Sequence, residues 1–116
     1  PEDRYGFAKK SEKAAAMEKQ RLMWEQFCQK YSGKLSAEET RASREEALQM
    51  LEKKDTLPPI RLKIAKYISD GYTLERNLPK ALEYLEIARD ADPESQAAKK
   101  LEPWIDNMRK HINQEK

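Results

Sequence analysis

The chain has 116 residues, enough for one domain with a single modest core. Hydrophobic and charged residues each make up 38%, with only three Gly, which suits long helices with a narrow apolar stripe and a charged back. Lys and Arg number 23 against 21 Asp and Glu, and the two signs are interspersed. That mixture excludes the one-sided basic surface on which nucleic-acid binding depends, and the short apolar runs exclude a membrane span. A lone cysteine, Cys28, rules out an internal disulfide. The first residue is Pro1 rather than Met, so a removed signal peptide would leave no trace. The compartment is left open, with the cytoplasm slightly favoured and the periplasm or the exterior as the alternative if a signal peptide was removed.

Residues 1–6 hold Pro1 and Gly6 without apolar periodicity and read as a frayed start. A first helix is expected over 7–31, free of Pro and Gly and rich in Ala14, Ala15, Ala16, Glu18 and Lys19. Met17, Trp24, Phe27, Cys28 and Tyr31 form its apolar face, with Cys28 expected in the core. Gly33 supplies a left-handed cap. Ser36 and Glu39 then stand at capping-box spacing and open a second helix over 36–54, with Ala47, Leu48 and Leu51 inward. Pro58 and Pro59 end that segment and start a third helix over 58–71, with Ile60, Ile64, Ala65 and Ile68 on one face. A fourth, over 78–91, carries two apolar stripes, Leu78, Leu82, Leu85 and Tyr84, Ile87, Ala91, as expected of a helix packed between neighbours. A fifth, over 93–112, shows Ala97, Leu101, Trp104, Ile105, Met108 and Ile112 at helical spacing, and Pro103 should kink or split it. No stretch alternates as a strand would.

Between Ile60 and Ala88 the chain carries a recognisable pattern. The run Ile64-Ala65, Ile68, Gly71, Thr73-Leu74, Asn77, Lys80-Ala81, Tyr84-Leu85, Ala88 resembles, without gaps, the Sel-like repeat, the longer-looped relative of the tetratricopeptide repeat. The resemblance covers a hairpin over 60–92. It implies that Ala65, Ala81 and Ala88 lie where two helices cross closely. It also implies that Gly71 frees the backbone at the end of the first helix, that Leu74 tucks the loop onto the hairpin, and that Asn77 caps the second helix. Thr73 stands in place of a family Gly, Asn77 in place of Asp and Ile68 in place of Tyr. A β-branched residue disfavours positive φ, so the loop should approach the tetratricopeptide form, which also places a closing Pro near Pro93. A weaker second copy ends at Ala47-x-x-Met50-Leu51, parallel to Ala81-x-x-Tyr84-Leu85. The expected fold is thus all-α: one domain over 1–116, a short right-handed α-solenoid fragment of about five antiparallel helices closed by a C-terminal capping helix.

Candidate chemistry is sparse. His111 is the sole histidine, with no second His and no nearby Cys, so no metal site or cofactor is expected, only a solvent-exposed last-turn residue. Cys28 has no base beside it and Gly71-Tyr72-Thr73 makes no phosphate loop. The neighbouring carboxylates Glu38-Glu39 and Glu45-Glu46 point about 100° apart on a helix and form no acid/base pair. A membrane-surface role for the first helix, with Lys9, Lys10 and Lys13, is opposed by its acidic residues. No enzyme is expected. The resemblance implies a soluble adaptor, scaffold or regulatory binding protein that holds another protein or peptide in a helical-repeat groove. Candidate contacts are Arg61, Lys63, Tyr67 and Asp70 of the third helix and Gln20 and Gln26 of the first. Trp24 reads as core, with a groove anchor as its alternative role, and Trp104 likewise reads as core. The competing readings are a self-associating structural subunit, which would form a homodimer, and a small immunity- or inhibitor-type protein.

Overall fold

Helices begin and end where side chains satisfy the backbone groups left without intrahelical partners. The computed structural model describes the backbone of residues 7–114 and the side chains of residues 12–114. The expected frayed start at 1–6 and the side chains of Lys9 and Lys10 lie outside the described residues. Among the described residues there are five helices and no strand: α1 (Phe7–Lys30), α2 (Ala37–Glu52), α3 (Pro58–Leu74), α4 (Leu78–Ala91) and α5 (Gln96–Gln114). The chain divides into two units, Pro1–Lys34 and Leu35–Lys116.

In the first unit, Trp24 and Phe27 of α1 are buried and stack with ring centroids 4.9 Å apart. Tyr31 tilts onto Phe27 at 5.1 Å and Lys30 lies over the Tyr31 ring. Cys28, expected in the core, is exposed. Successive helical residues diverge by about 100°, so turning Phe27 inward carries Cys28 onto the flank. Arg21 pairs along the wet face with Glu18 at 2.6 Å and with Glu25. Gly33 adopts φ +81°, the left-handed position expected after α1.

In the second unit each helix packs mainly on its neighbours in the chain, α2 on α3, α3 on α4 and α4 on α5. The capping box forms: Glu39 N–H donates to Ser36 Oγ, and Ser36 N–H donates to the Glu39 carboxylate, both at 3.1 Å. The Ser36 backbone N–H, followed by its side chain, holds the Glu39 carboxyl below its usual range. α2 stops at Glu52, two residues early. Thr56 Oγ1 donates to the Met50 carbonyl and Arg61 Nη2 to the Lys53 carbonyl, each at 3.1 Å, capping the helix end. Ala47 and Leu51 are buried, whereas Leu48 is half-buried.

The α3–α4 pair is built on alanines. Ala65, Ala81 and Ala88 are 0% exposed, and Ile60, Leu62, Ile64, Ile68 and Leu85 bury around them. Ser69, which the apolar pattern passes over, is also buried, and its hydroxyl donates to the Ala81 carbonyl at 2.7 Å. The second stripe expected on α4 is only partly covered. Tyr84 and Ala91 are half-buried and Ile87 is exposed.

The loop after α3 departs from the expectation. Gly71 does not end the helix; α3 runs on to Leu74, and Thr73 stays helical with its hydroxyl donating to the Ser69 carbonyl at 3.0 Å. Closure comes from two bonds, Asn77 N–H to Tyr72 C=O at 2.9 Å and Arg76 N–H to Thr73 C=O at 3.0 Å. This is the Schellman pattern, and its left-handed residue is Arg76 at φ +61°, where Gly is usual. Leu74, expected to fold back onto the hairpin, is 83% exposed. Asn77 does cap α4, accepting from Lys80 N–H.

α5 starts at Gln96 rather than at Pro93. Asp92–Ser95 forms a turn first, and Ser95 Oγ accepts from Ala98 N–H at 3.1 Å. The buried face is Ala98, Leu101 and Ile105, while Ala97 and Trp104, expected inward, are exposed. Pro103 does not split α5. It is exposed, two residues from both Leu101 and Ile105 and so opposite the buried face.

Two predictions follow from these contacts. Ala81→Leu and Ala88→Leu should each destabilise by about 1–3 kcal/mol, since overpacking at a close crossing forces helices apart. Thermal melts equal to the parent's would show that neither alanine sits at one. Conversely, Gly71→Ala and Arg76→Gly should each raise stability by about 0.5–1 kcal/mol. A Cβ on Gly71 meets only Arg44 Nη1 at 3.9 Å, an ordinary contact. A lowered urea midpoint for either would contradict the assignment of helix interior and left-handed cap.

Candidate functional site

The second unit holds a groove of about 320 Å³ whose walls are α3 and α5 and whose floor is α4. From α3 come Ser69, Asp70 and Thr73, and from α4 come Leu78 and the buried Leu85. α5 contributes Trp104, Asn107, Met108 and His111, at spacings of three and four that lie on one helical face. That face is distinct from the buried stripe of Ala98, Leu101 and Ile105. α5 therefore has two faces at work, one for the core and one for the groove.

Trp104 is 53% exposed, with the Lys66 ammonium 5.1 Å from its ring centroid. Lys66 Nζ also pairs with Asp70 Oδ2 at 3.1 Å. The position of α5 is fixed across the α4 boundary by Arg109 to Glu86 at 3.1 Å and Arg89 to Glu102 at 3.5 Å. Hydrogen bonding to Asp90, offset by desolvation, then Asp90, Glu102 and Glu86 as charges, holds the Arg89 guanidinium above its usual range.

Of the residues proposed from sequence, Asp70 alone lines the groove. Arg61 is half-buried and committed to the end of α2 through the Lys53 carbonyl. Lys63 is exposed and Tyr67 half-buried, both on α3 away from the groove lining. Gln20 is half-buried and Gln26 exposed, both in the first unit. Trp24 is 9% exposed, which removes it as a surface anchor. Both tryptophans were expected in the core; Trp24 is there, whereas Trp104 is outside. His111 is exposed in the last turn of α5 as expected, and it also reaches the groove. Among the described residues no three His, Cys, Asp or Glu side chains are grouped so as to hold a metal ion. No described helix is long and apolar enough to cross a membrane.

A second cluster joins α2, α3 and α4. The Arg44 guanidinium bonds the Glu75 carboxylate and lies 4.4 Å from the centroid of the Tyr72 ring, which stacks on Tyr84 at 5.8 Å. Burial raises the Tyr84 hydroxyl above its usual range, and the Arg44 hydrogen bond lowers Glu75. This stack braces the loop between α3 and α4. No protein-family model, no curated protein and no solved structure matches the chain.

The Arg44–Glu75 bond has a pH signature. Glu75 is depressed in the folded protein, so its contribution is complete above the unfolded value of about 4.3 and is lost as pH falls through the folded one. Arg44→Met should therefore lower the urea midpoint most at neutral pH. The gap from the parent should narrow as pH falls below about 4, leaving only the cation–π contact with Tyr72. An equal gap at neutral and acid pH would rule out an ionised Glu75 as Arg44's partner.

Proposed function

We propose that this chain is a protein-interaction module, an adaptor or regulatory binding protein, that seats a segment of another protein between α3 and α5. One observation carries the reading: Trp104 stands half-exposed on the rim of a recess floored by Leu78 and Leu85, with Met108 on its own wall. Large apolar rings beside a fitted cavity are where binding energy concentrates, and tryptophan leads among such residues. Packing of each helix on its chain neighbours supports a helical-hairpin repeat, as does the Sel-like pattern over 60–92. In that reading α2–α5 form a short right-handed solenoid fragment, and α5 is both its terminal cap and one wall of the groove. The buried pair Ala47 and Leu51 repeats the pair Ala81 and Leu85 at the same spacing, as a second copy of the repeat would. The reading assigns the chain no catalytic step.

Trp104→Ala should leave the melting temperature within a few degrees, because it removes one exposed cation–π contact worth about 0.5–1 kcal/mol. It should weaken partner capture from the source organism by at least about 2 kcal/mol, as loss of a central anchor does. Comparing proteins retained by the parent and by the variant tests this, and an unchanged set would defeat the groove as the binding surface. Light scattering addresses self-association: a monomer in the absence of partner agrees with the adaptor, whereas a Trp104-dependent dimer would favour the structural subunit.

A further inference from the structure

We infer that the groove selects its partner through a basic side chain, Arg or Lys, whose charged head enters between Asp70 and Trp104. This rests on the interaction reading above and specifies its chemistry. The α3 wall offers acceptors. The Thr73 hydroxyl hydrogen is spent on the Ser69 carbonyl and the Ser69 hydroxyl hydrogen on the Ala81 carbonyl. Toward the groove, Thr73 therefore presents oxygen lone pairs, and Asp70 beside it presents a carboxylate. The opposite wall carries Trp104, whose ring face attracts cations and has the Lys66 ammonium over it. No Lys or Arg is among the described residues that line the recess itself; the cation beside it is Lys66, on Asp70 and Trp104.

One cation of the chain itself already meets both groups. Lys66 places its ammonium 3.1 Å from Asp70 and 5.1 Å from the Trp104 centroid, so a cation sits between these two groups at the groove's mouth. That pair spans one helical turn and is solvated on both sides, the kind of ion pair that is easily exchanged. A partner's guanidinium is better suited to the place. It can bond a carboxylate bidentately and stack on an indole, while its aliphatic stem lies along Leu78 and Met108. Lys66 then acts as an internal competitor that an incoming Arg displaces.

The test uses the whole isotope-labelled chain and three end-blocked pentapeptides, Leu-Leu-Arg-Leu-Leu and its counterparts with Gln or Glu at the centre. At millimolar peptide, the Arg form should shift the Trp104 indole N–H and the amides of Thr73 and Asn107. It should bind at least about fivefold tighter than the Gln form, with the Glu form weakest. Asp70→Asn should reduce the Arg peptide to the level of the Gln peptide, and Lys66→Gln should tighten Arg binding by removing the competitor. Both positions are solvent-accessible surface, and melts confirm that the variants fold. If the Gln peptide shifts the same resonances with equal affinity, the basic preference is wrong while the interaction reading stands. If no peptide perturbs the groove, both readings fall. Weaker Arg binding by Lys66→Gln would also overturn the displacement.

Discussion

The close approach of α3 and α4 is the contact on which the rest of the second unit hangs. It is possible because Ala65, Ala81 and Ala88 have no side chain beyond Cβ and are wholly enclosed. At that distance a serine hydroxyl on one helix reaches a backbone carbonyl on the other, and Ser69 donates to Ala81 at 2.7 Å. Left unmade, such a buried donor would be costly, so the bond fixes register as well as distance. The register has functional reach. It holds Leu85 under the groove, Ser69 and Thr73 along its wall, and Tyr72 against Tyr84 on the braced side.

Much of this was legible in the sequence because it depends on neighbours within one turn. The capping box at Ser36, the Asn77 cap, the Gly33 turn and the α3 face Ile60, Ile64, Ala65, Ile68 are local facts and need no tertiary knowledge. The errors came where local preference is outweighed. Gly71 marks a stop by habit, yet the backbone bonds from Glu75, Arg76 and Asn77 to the end of α3 outweigh one glycine's reluctance to be helical. The left-handed cap then falls on Arg76, a residue no composition rule would select. For α5, Ser95 offers an N-cap hydroxyl with the right spacing, but Pro93 is the louder signal at that boundary.

The groove was harder to read because it joins helices that are not consecutive. Periodicity places Trp104, Ile105 and Met108 within one broad arc, and nothing local says where the core edge falls within it. Ala98 decides the matter. Once Ala98, Leu101 and Ile105 face α4, Trp104 is rotated onto the flank and becomes accessible. The same logic took Cys28 out of the α1 core when Phe27 went in. Only Asp70 was foreseen at the site, from being polar on a helix whose apolar face was already committed. Ser69 could have been found by the same inspection. It lies on the buried side of α3 among isoleucines, where a hydroxyl persists only if it has a partner.

A groove wall must be held still to be selective, and α5 is held by charge as well as by its apolar stripe. Glu86 and Arg89, one turn apart on α4, reach Arg109 and Glu102 respectively. The two cross-links carry opposite polarity, so sliding α5 along α4 or rotating it would break both. Each exposed pair contributes little alone, but Arg89 also contacts Asp90 and Glu86, and linked charges share their ordering cost. The links are anchored at 102 and 109, on either side of the Trp104 to His111 stripe's first turns. Trp104 is thus exposed without being loose, because the helix that carries it is pinned above and below, and the ring needs only to meet a partner presented to it.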